Sequence, residues 1–305
     1  MNLADVGRLA LGCAPLGNLY RAVDDDLATA TIDAAWERGV RLFDTAPLYG
    51  HGLSEARVGA ALSSRPRNEF VLATKVGRLL VPGAPPDDSI FEAIPPVVPT
   101  FDFSADGVQR SITDSLERLG LDRIDLLHVH DPDDHLDQAA SETFPSLLRL
   151  RDEGVIGAVG LGTNHAEVAA RFVGRVDIDC VLLAGRCTLL DRSGPQVVFD
   201  ACVEHGVRVL AAGVFNSGVL AAPGPGARFH YAPVSPDVLA RVERLAATCA
   251  PFDVPLAAAA LQLPLRHPAV HSVVVGVQSP AEVHQDADLL DVAVPDELWA
   301  ALDAL

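Results

Sequence analysis

Short apolar runs recur along this chain, and a longer segment with the apolar spacing of a helix follows each of them. Eight runs have the length of a buried strand: residues 9–13, 42–45, 70–76, 124–130, 158–163, 180–184, 207–213 and 272–277. Helical periodicity is clearest in residues 24–38, 104–119, 141–153 and 235–249. Eight strand–helix units within 305 residues predict an α/β fold, a single-domain (β/α)8 TIM barrel over residues 1–305.

The main competing architecture is a doubly wound sheet, which binds cofactor phosphates at a G-x-G-x-x-G turn after an early strand. Gly50-His51-Gly52 and Gly160-Leu161-Gly162 begin that pattern, and neither completes it. The barrel is therefore the favoured architecture.

The chain is acidic, with 23 Lys and Arg residues against 41 Asp and Glu residues and a formal net charge of −18. This balance argues against a nucleic-acid partner and against binding to an anionic membrane. No apolar run has the length of a membrane span, the first residues lack the pattern of a signal peptide, and the five cysteines are scattered. We expect a cytoplasmic protein that acts on a small molecule, and the sequence does not indicate its oligomeric state.

Residues 77–103 interrupt the alternation of strands and helices, and they contain six prolines. A long connection without secondary structure is usually functional in a compact domain. Because the segment follows the third strand, we expect it to lie over the C-terminal mouth of the barrel as a substrate lid or wall.

Polar side chains lie at the ends of three predicted strands or shortly after them. Asp44 ends the second strand and Tyr49 follows it, Lys75 lies near the end of the third strand, and His130 ends the fourth. In a barrel these ends meet at one mouth, where catalytic residues are found. An ammonium inside an apolar strand needs an acidic partner, and Asp44 on the neighbouring strand is the expected one.

These four residue types suit proton transfer. The hydroxyl of an isolated tyrosine has a pKa of about 10, and an adjacent ammonium is expected to lower it for Tyr49. The carboxylate would hold the ammonium, and the histidine would orient a carbonyl or hydroxyl oxygen. With no nucleophile and no evident metal cage in the set, the site suits interconversion of a carbonyl and an alcohol, with a cofactor carrying the hydride.

The sequence around these residues resembles the aldo-keto reductase family. The stretches similar to its signatures are residues 41–50 (RLFDTAPLYG), Ser54-Glu55, Gly59, residues 71–76 and residues 124–130. The resemblance extends over residues 9–290, nearly the whole chain. It implies a catalytic tetrad of Asp44, Tyr49, Lys75 and His130, with Tyr49 as the acid/base.

Four further stretches resemble the bacterial branch that includes L-fucose, D-threo-aldose and pyridoxal dehydrogenases. They are residues 75–80, 101–104, 130–135 and 213–220. This resemblance implies NAD(P)-dependent oxidation of a sugar hemiacetal to a lactone, for an aldose such as L-fucose or D-arabinose, or of an aldehyde-level substrate. Tyr49 would act as the base on the anomeric hydroxyl.

The resemblance also implies the residues that bind the cofactor, NAD or NADP. They are Gly12, Cys13, Thr163, Asn164, Gly213, Phe215, Gly276, Gln278, Ser279, Glu282 and Asp286. Relatives that prefer NADP carry basic residues where this chain has Gln278 and Glu282. A carboxylate repels a 2′-phosphate and accepts a hydrogen bond from a free 2′-hydroxyl, which favours NAD. The alternative is that Glu282 only stabilises the start of its helix.

Tyr20, His51 and Phe101 are the predicted substrate-pocket residues, because their loops face the same mouth. Two positions depart from the family pattern. Ala184 replaces a glutamine found in many members, and Cys187 replaces a tyrosine. These changes are expected to reshape the packing around the nicotinamide and to leave the proton chemistry intact.

Three alternative functions remain open at this point. The first is reduction of a natural-product aldehyde or ketone on the same four residues, because a proton-transfer site works in either direction. The second is a metal-dependent barrel hydrolase that uses His128 and His130, with His165 on the next strand end. The third is a cofactor-sensing regulatory protein that keeps the fold without catalysis.

Overall fold

A computed structural model of the chain, which describes residues 2–224 and 226–305, contains a closed barrel of parallel strands. In chain order the strands are β1 (Leu9–Gly12), β2 (Leu42–Asp44), β3 (Val71–Val76), β4 (Arg78–Pro82), β5 (Val97–Phe101), β6 (Leu126–His130), β7 (Ala158–Thr163), β8 (Cys180–Ala184), β9 (Arg208–Ala212), β10 (Arg228–Phe229), β11 (Ala232–Pro233) and β12 (Val270–Gly276). The barrel order is β1-β12-β9-β8-β7-β6-β3-β2, and the other four strands form two hairpins outside it. The predicted (β/α)8 barrel is confirmed.

Helices alternate with the barrel strands and surround them. They are α1 (Asp25–Glu37), α2 (Leu53–Leu62), α3 (Ala105–Leu119), α4 (Leu136–Gln138), α5 (Phe144–Asp152), α6 (Ala166–Phe172), α7 (Asp200–Glu204), α8 (Pro236–Cys249), α9 (Leu256–Gln262), α10 (Pro280–Leu290) and α11 (Asp296–Asp303). Shorter helical turns are Leu3–Asp5, Ala14–Gly17, Asp133–His135, Ala139–Thr143, Pro195–Phe199, Ala250–Phe252 and Pro264–Arg266. Local caps explain several boundaries: the side chains of Asp24, Ser104 and Ser235 accept hydrogen bonds from the first turns of α1, α3 and α8.

Apolar side chains fill the lower half of the barrel. Leu42, Leu126 and Leu210 belong to an inner cluster of buried residues, and Leu3 and Val6 pack into the same cluster from the N-terminal segment. The bottom of the barrel is therefore filled by apolar side chains. The polar ends of the strands face the opposite, C-terminal mouth, which is where a site can form.

Residues 77–103, called the arch below, are more ordered than the sequence suggests. β4 and β5 pair as an antiparallel hairpin, with Arg78 opposite Phe101 at its base. At the tip, the Tyr20 N–H donates to the Ile90 carbonyl at 2.8 Å, and the Glu92 N–H donates to the Asn18 carbonyl at 3.0 Å. The expectation of a structureless connection is wrong, because pairing between residues some twenty positions apart leaves no local signal in a proline-rich segment.

No single helix within residues 2–224 and 226–305 has both the length and the apolar character needed to cross a membrane. One pair of helical segments, residues 236–252 and Leu256–Gln262, passes that test together by length and composition alone, although it is bent by 101°.

The contact between α2 and α3 gives a test of the packing. A Cβ atom built on Gly59 of α2 would lie 1.8 Å from the carbonyl oxygen of Leu119, which is backbone that cannot rotate away. We expect Gly59→Ala to lower the free energy of unfolding by about 2–4 kcal/mol, as overpacking does in tight interiors. Urea unfolding measures this change. Gly7→Ala is the matched control, because a Cβ atom built on Gly7 would have no other atom within 4 Å. An equal loss of stability in both variants would contradict the packing argument.

Candidate active site

Lys75 and Asp44 form a buried ion pair at the C-terminal mouth of the barrel. The Lys75 Nζ donates to both carboxylate oxygens of Asp44 at 2.7 Å and to the carbonyl of Thr45 at 2.8 Å. The two side chains are only 1% and 4% exposed. The structure thus shows the pairing expected from the sequence, and the three contacts use all the donors of the ammonium.

Tyr49 lies in the turn after β2, and its ring lies close to both Lys75 and His130. The Lys75 Nζ is 4.8 Å from the centroid of the Tyr49 ring. The imidazole of His130 meets the same ring edge-on, with 6.0 Å between centroids. The four residues of the predicted tetrad are therefore neighbours.

Burial raises the pKa of the Tyr49 hydroxyl well above the usual value, and the nearby Asp44 carboxylate raises it further. The expectation that Lys75 lowers this pKa is wrong for this structure. The reason is that burial of the hydroxyl dominates, and Asp44 binds the ammonium through both carboxylate oxygens and offsets its charge. The hydroxyl therefore stays protonated at neutral pH, which is the form that donates a proton.

His130 is held neutral by its surroundings. Burial lowers the pKa of its imidazole well below the usual value, and the positive charges of Arg78 and Lys75 lower it further. A neutral ring keeps one N–H donor and one acceptor nitrogen. It can orient a substrate oxygen by a hydrogen bond without adding charge to the site.

His128 lies two residues before His130 on β6, inside the barrel. It is fully buried, its Nε2 is 3.9 Å from the Asp44 Oδ1, and neither ring nitrogen has a hydrogen-bond partner among the residues described. Burial lowers the pKa of this imidazole well below the usual value, and Lys75 adds to the effect. The hydrolase alternative needs more ligands than these two histidines, and the described ranges contain no group of three or more His, Cys, Asp and Glu side chains placed to hold a metal ion.

One elongated cavity of about 840 Å³ connects the tetrad with α10. The residues that were predicted from the sequence and that line it are Gly12, Tyr20, Asp44, Tyr49, Lys75, His130, Thr163, Asn164, Gly213, Phe215, Gly276, Gln278, Glu282 and Asp286. Positions far apart in the sequence thus share one space. Their individual roles stay predictions.

Two predicted cofactor residues do not line the cavity. Cys13 is fully buried, and its thiol faces the carbonyl of Leu11 at 3.7 Å. The side chain of Ser279 accepts a hydrogen bond from the Glu282 N–H at 3.3 Å and so caps α10. The Cys13 side chain thus packs in the interior and the Ser279 side chain caps α10, and the cofactor roles predicted for these two residues stay predictions.

Two predicted substrate residues also lie outside the cavity. The His51 Nδ1 is 2.6 Å from the carbonyl oxygen of Val97, so this side chain fastens the arch. Phe101 is 52% exposed and stacks on Phe103, with 6.1 Å between ring centroids. Both side chains contact the arch from outside the cavity, whereas Tyr20 lines the cavity.

The structure adds lining residues that the sequence analysis missed. They are Ile90 and Phe91 at the arch tip, Asp131, Arg186, Asn216, Ser217, His230 and Tyr231. For Tyr231 the sequence offered one signal, because tyrosine is rare in this chain. It has only three tyrosines, and all three line this cavity.

Backbone strain is concentrated at the same mouth. Six cavity-lining residues other than glycine have a positive φ: Tyr20, Asp131, Asn216, Ser217, His230 and Tyr231. Each such residue costs about 1–3 kcal/mol, so the surrounding structure must hold it in place. Strain of this kind gathers at ligand-binding sites.

The departures from the family pattern have different environments. Ala184 lines the cavity, where its small side chain leaves space. Cys187 is buried, and burial raises the pKa of its thiol to about 12. This thiol stays protonated at neutral pH, as expected of a packing residue.

Comparison with known proteins agrees with the site. The model of the family described as "Aldo/keto reductase family" matches residues 8–305. The chain belongs to the aldo/keto reductase family. It is 45% identical over 303 residues to a D-threo-aldose 1-dehydrogenase from a Pseudomonas species, covering 96% of this chain and 92% of the relative. It is 41% identical over 319 residues to a pyridoxal 4-dehydrogenase from Microbacterium luteolum, covering 97% and 93%.

Solved structures of this family share the fold. An aldo-keto reductase from Bacillus halodurans in its holo form superposes with a TM-score of 0.79 and 27% identity, over 100% of this chain and 95% of that one. A glycerol dehydrogenase from Gluconobacter oxydans gives a TM-score of 0.77 and 26% identity, over 98% and 91%. This aldo/keto reductase is an NAD(P)-dependent oxidoreductase that interconverts a carbonyl and an alcohol.

Three glycines of the cavity lining are among the residues predicted to bind the cofactor. A Cβ atom on Gly276 would lie 2.9 Å from the Pro15 Cγ, so the close approach of Pro15 to the end of β12 favours glycine at this position. Gly12 and Gly213 also line the cavity and leave the backbone accessible. The family resemblance predicts that Gly276 and the start of α10 hold the pyrophosphate and that Thr163 and Asn164 lie beside the nicotinamide carboxamide.

The ion pair gives a test of how the site is built. Lys75→Met removes the ammonium and leaves Asp44 buried without its counter-charge. We expect the free energy of unfolding to fall by about 3–5 kcal/mol. The matched control is the double variant Asp44→Asn/Lys75→Met, which buries no charge and should regain most of that loss in urea unfolding. A double variant as unstable as the single one would show that the lost contacts, rather than the uncompensated charge, set the cost.

Proposed function

We propose that this enzyme oxidises an aldose at its anomeric carbon, converting the hemiacetal to a lactone, with NAD as the preferred cofactor. The observation that carries the proposal is the tetrad of Asp44, Tyr49, Lys75 and His130 at one end of a cavity that continues to α10. The Pseudomonas relative, a D-threo-aldose 1-dehydrogenase at 45% identity over most of the chain, supports an aldose as the substrate.

The reaction removes a hydride from the anomeric carbon and a proton from the hydroxyl oxygen on that carbon, and the C–O bond becomes the C=O bond of the lactone. Bound NAD supplies the acceptor for the hydride that leaves the anomeric carbon. The phenolate oxygen of Tyr49 takes the proton of the anomeric hydroxyl. Neutral His130 orients the same oxygen, and the pair of Lys75 with Asp44 fixes the wall against which Tyr49 lies.

Reduction of an aldehyde or ketone on the same tetrad is the second candidate. The raised pKa of Tyr49 favours it, because a protonated hydroxyl is the donor that reduction needs. The two directions differ in their dependence on pH. Oxidation needs the phenolate and should become faster as pH rises, whereas reduction should become slower.

Absorbance of reduced nicotinamide tests the proposal, with L-fucose, D-arabinose, L-galactose or pyridoxal as substrates and NAD or NADP as cofactors. We expect oxidation of an aldose at a rate that rises from neutral to alkaline pH, because the pKa of Tyr49 is raised. Tyr49→Phe should lower kcat by about 10²- to 10⁴-fold. Binding of reduced cofactor to this variant is the control for folding. Turnover of carbonyl compounds alone, with every aldose inert, would favour the second candidate.

The preference for NAD is supported by the charge of the cavity at α10. Gln278, Glu282 and Asp286 line this end, and the cavity-lining residues described there include no lysine or arginine. The Glu282 Oε2 accepts from the Gln278 N–H at 2.7 Å, so this carboxylate also serves the start of the helix. Burial and the charge of Glu282 raise the pKa of Asp286 to about 7. The Arg21 Nη2 lies 3.7 Å from the Glu282 Oε1 and offsets part of this charge, and the preference for NAD rests on the remaining repulsion between Glu282 and a 2′-phosphate.

Exchanging the charge of Glu282 tests the cofactor preference. We expect Glu282→Lys to raise the ratio of kcat/KM for NADP to that for NAD by roughly 10- to 100-fold, since repulsion of the 2′-phosphate becomes attraction. Glu297→Lys is the control with the same change of net charge, at an exposed position on α11. The measurement belongs at low ionic strength, where charge effects are largest. A ratio that moves equally in both variants would contradict a local effect of Glu282.

A further inference from the structure

Asp131 directly follows His130, and its carboxylate faces the cavity beside the imidazole. The Asp131 Oδ2 lies 3.5 Å from the Nε2 of His130. This distance exceeds that of a good hydrogen bond, so the carboxylate does not engage the imidazole. Both groups line the cavity at the end that holds Tyr49.

Arg78 holds this carboxylate in place from the base of the arch. The Arg78 Nη2 donates to the Asp131 Oδ2 at 3.1 Å, and among the residues described this is the only ion pair of Arg78. The guanidinium lies over the ring of Phe101, 4.8 Å from its centroid. A planar guanidinium fixed on an aromatic ring positions a carboxylate more rigidly than a flexible ammonium does.

The backbone of Asp131 is fixed as well. Its φ is 42°, in the left-handed region, and its N–H donates to the Gly162 carbonyl at 2.9 Å. Such a conformation has a cost, which aspartate and asparagine bear better than most residues. The chain therefore maintains a strained position that directs one carboxylate to the cavity.

The second oxygen of this carboxylate is open to a ligand. No residue within 2–224 and 226–305 donates a hydrogen bond to the Asp131 Oδ1, and Arg78 itself does not line the cavity. An ionised carboxylate is an acceptor only, so its complement on a neutral substrate is a hydroxyl group. Hydrogen bonds to charged groups are stronger than those between neutral groups.

We infer that Asp131 is a specificity-determining residue, which accepts a hydrogen bond from the substrate hydroxyl on the carbon next to the one oxidised. This inference rests on the proposed oxidation of an aldose. The open Oδ1 belongs to the same carboxylate whose Oδ2 lies 3.5 Å from the Nε2 of His130, so a substrate with oxygens on two adjacent carbons has a partner for each of them at His130 and Asp131. The site then selects 2-hydroxy sugars over their 2-deoxy forms.

A comparison of two pentoses tests the inference. D-arabinose and 2-deoxy-D-ribose, which is also 2-deoxy-D-arabinose, differ only in the hydroxyl at the second carbon. We expect the wild-type enzyme to prefer D-arabinose in kcat/KM. Asp131→Asn, which tolerates the left-handed backbone, should lower kcat/KM for D-arabinose roughly 10- to 100-fold and change the value for 2-deoxy-D-ribose little. Arg78→Lys should lose part of the same discrimination.

Asp134→Asn is the matched control, because it makes the same change at an exposed position in the same loop. Thermal unfolding of each variant checks the fold. An equal loss for the two sugars in Asp131→Asn would overturn the inference, since it would mean that the carboxylate acts only on His130. Absence of turnover of any aldose by the wild-type enzyme would instead overturn the proposed function, and the inference with it.

Discussion

A buried ammonium and a buried carboxylate, Lys75 and Asp44, compensate each other at the mouth of the barrel, and the other groups of the site are arranged around them. Each charge alone would be unstable in this dry environment, so the pair requires two neighbouring strands in a fixed register. The barrel provides it, with Asp44 opposite Ala73, two residues before Lys75 on β3. The cluster of apolar side chains that fills the bottom of the barrel gives the pair surroundings of low polarity, in which the contact between opposite charges is strong.

The same burial sets the protonation of the other two members of the tetrad. It keeps the Tyr49 hydroxyl protonated and the His130 imidazole uncharged. The resting tetrad therefore consists of one compensated ion pair, a protonated phenol that holds the transferable proton and a neutral imidazole. The transferable proton lies beside the Lys75 ammonium, whose charge Asp44 offsets, and its direction of movement depends on pH and on the substrate.

Sequence periodicity predicts the barrel, because each barrel strand has its own short apolar run and several helices have helical apolar spacing and caps such as Asp24 and Ser104. The tetrad follows from the rule that strand ends converge. The hairpin in the arch and the position of Tyr231 depend on pairing between distant segments, which local patterns do not encode. The raised pKa of Tyr49 was not predicted for a related reason. It depends on how deeply the turn after β2 is buried and on the ion pair that Lys75 makes with Asp44.

The arch is tied at both ends, to Asp131 through Arg78 at its base and to Asn18 and Tyr20 at its tip. Its conformational entropy is thus lost during folding and not when a substrate binds. A preorganised wall of this kind selects ligands by shape and hydrogen bonding against a fixed surface. Small sugars have few apolar atoms to bury, so their affinity depends strongly on what binding costs. Because the arch is already ordered, no entropy is lost in ordering it when a sugar binds.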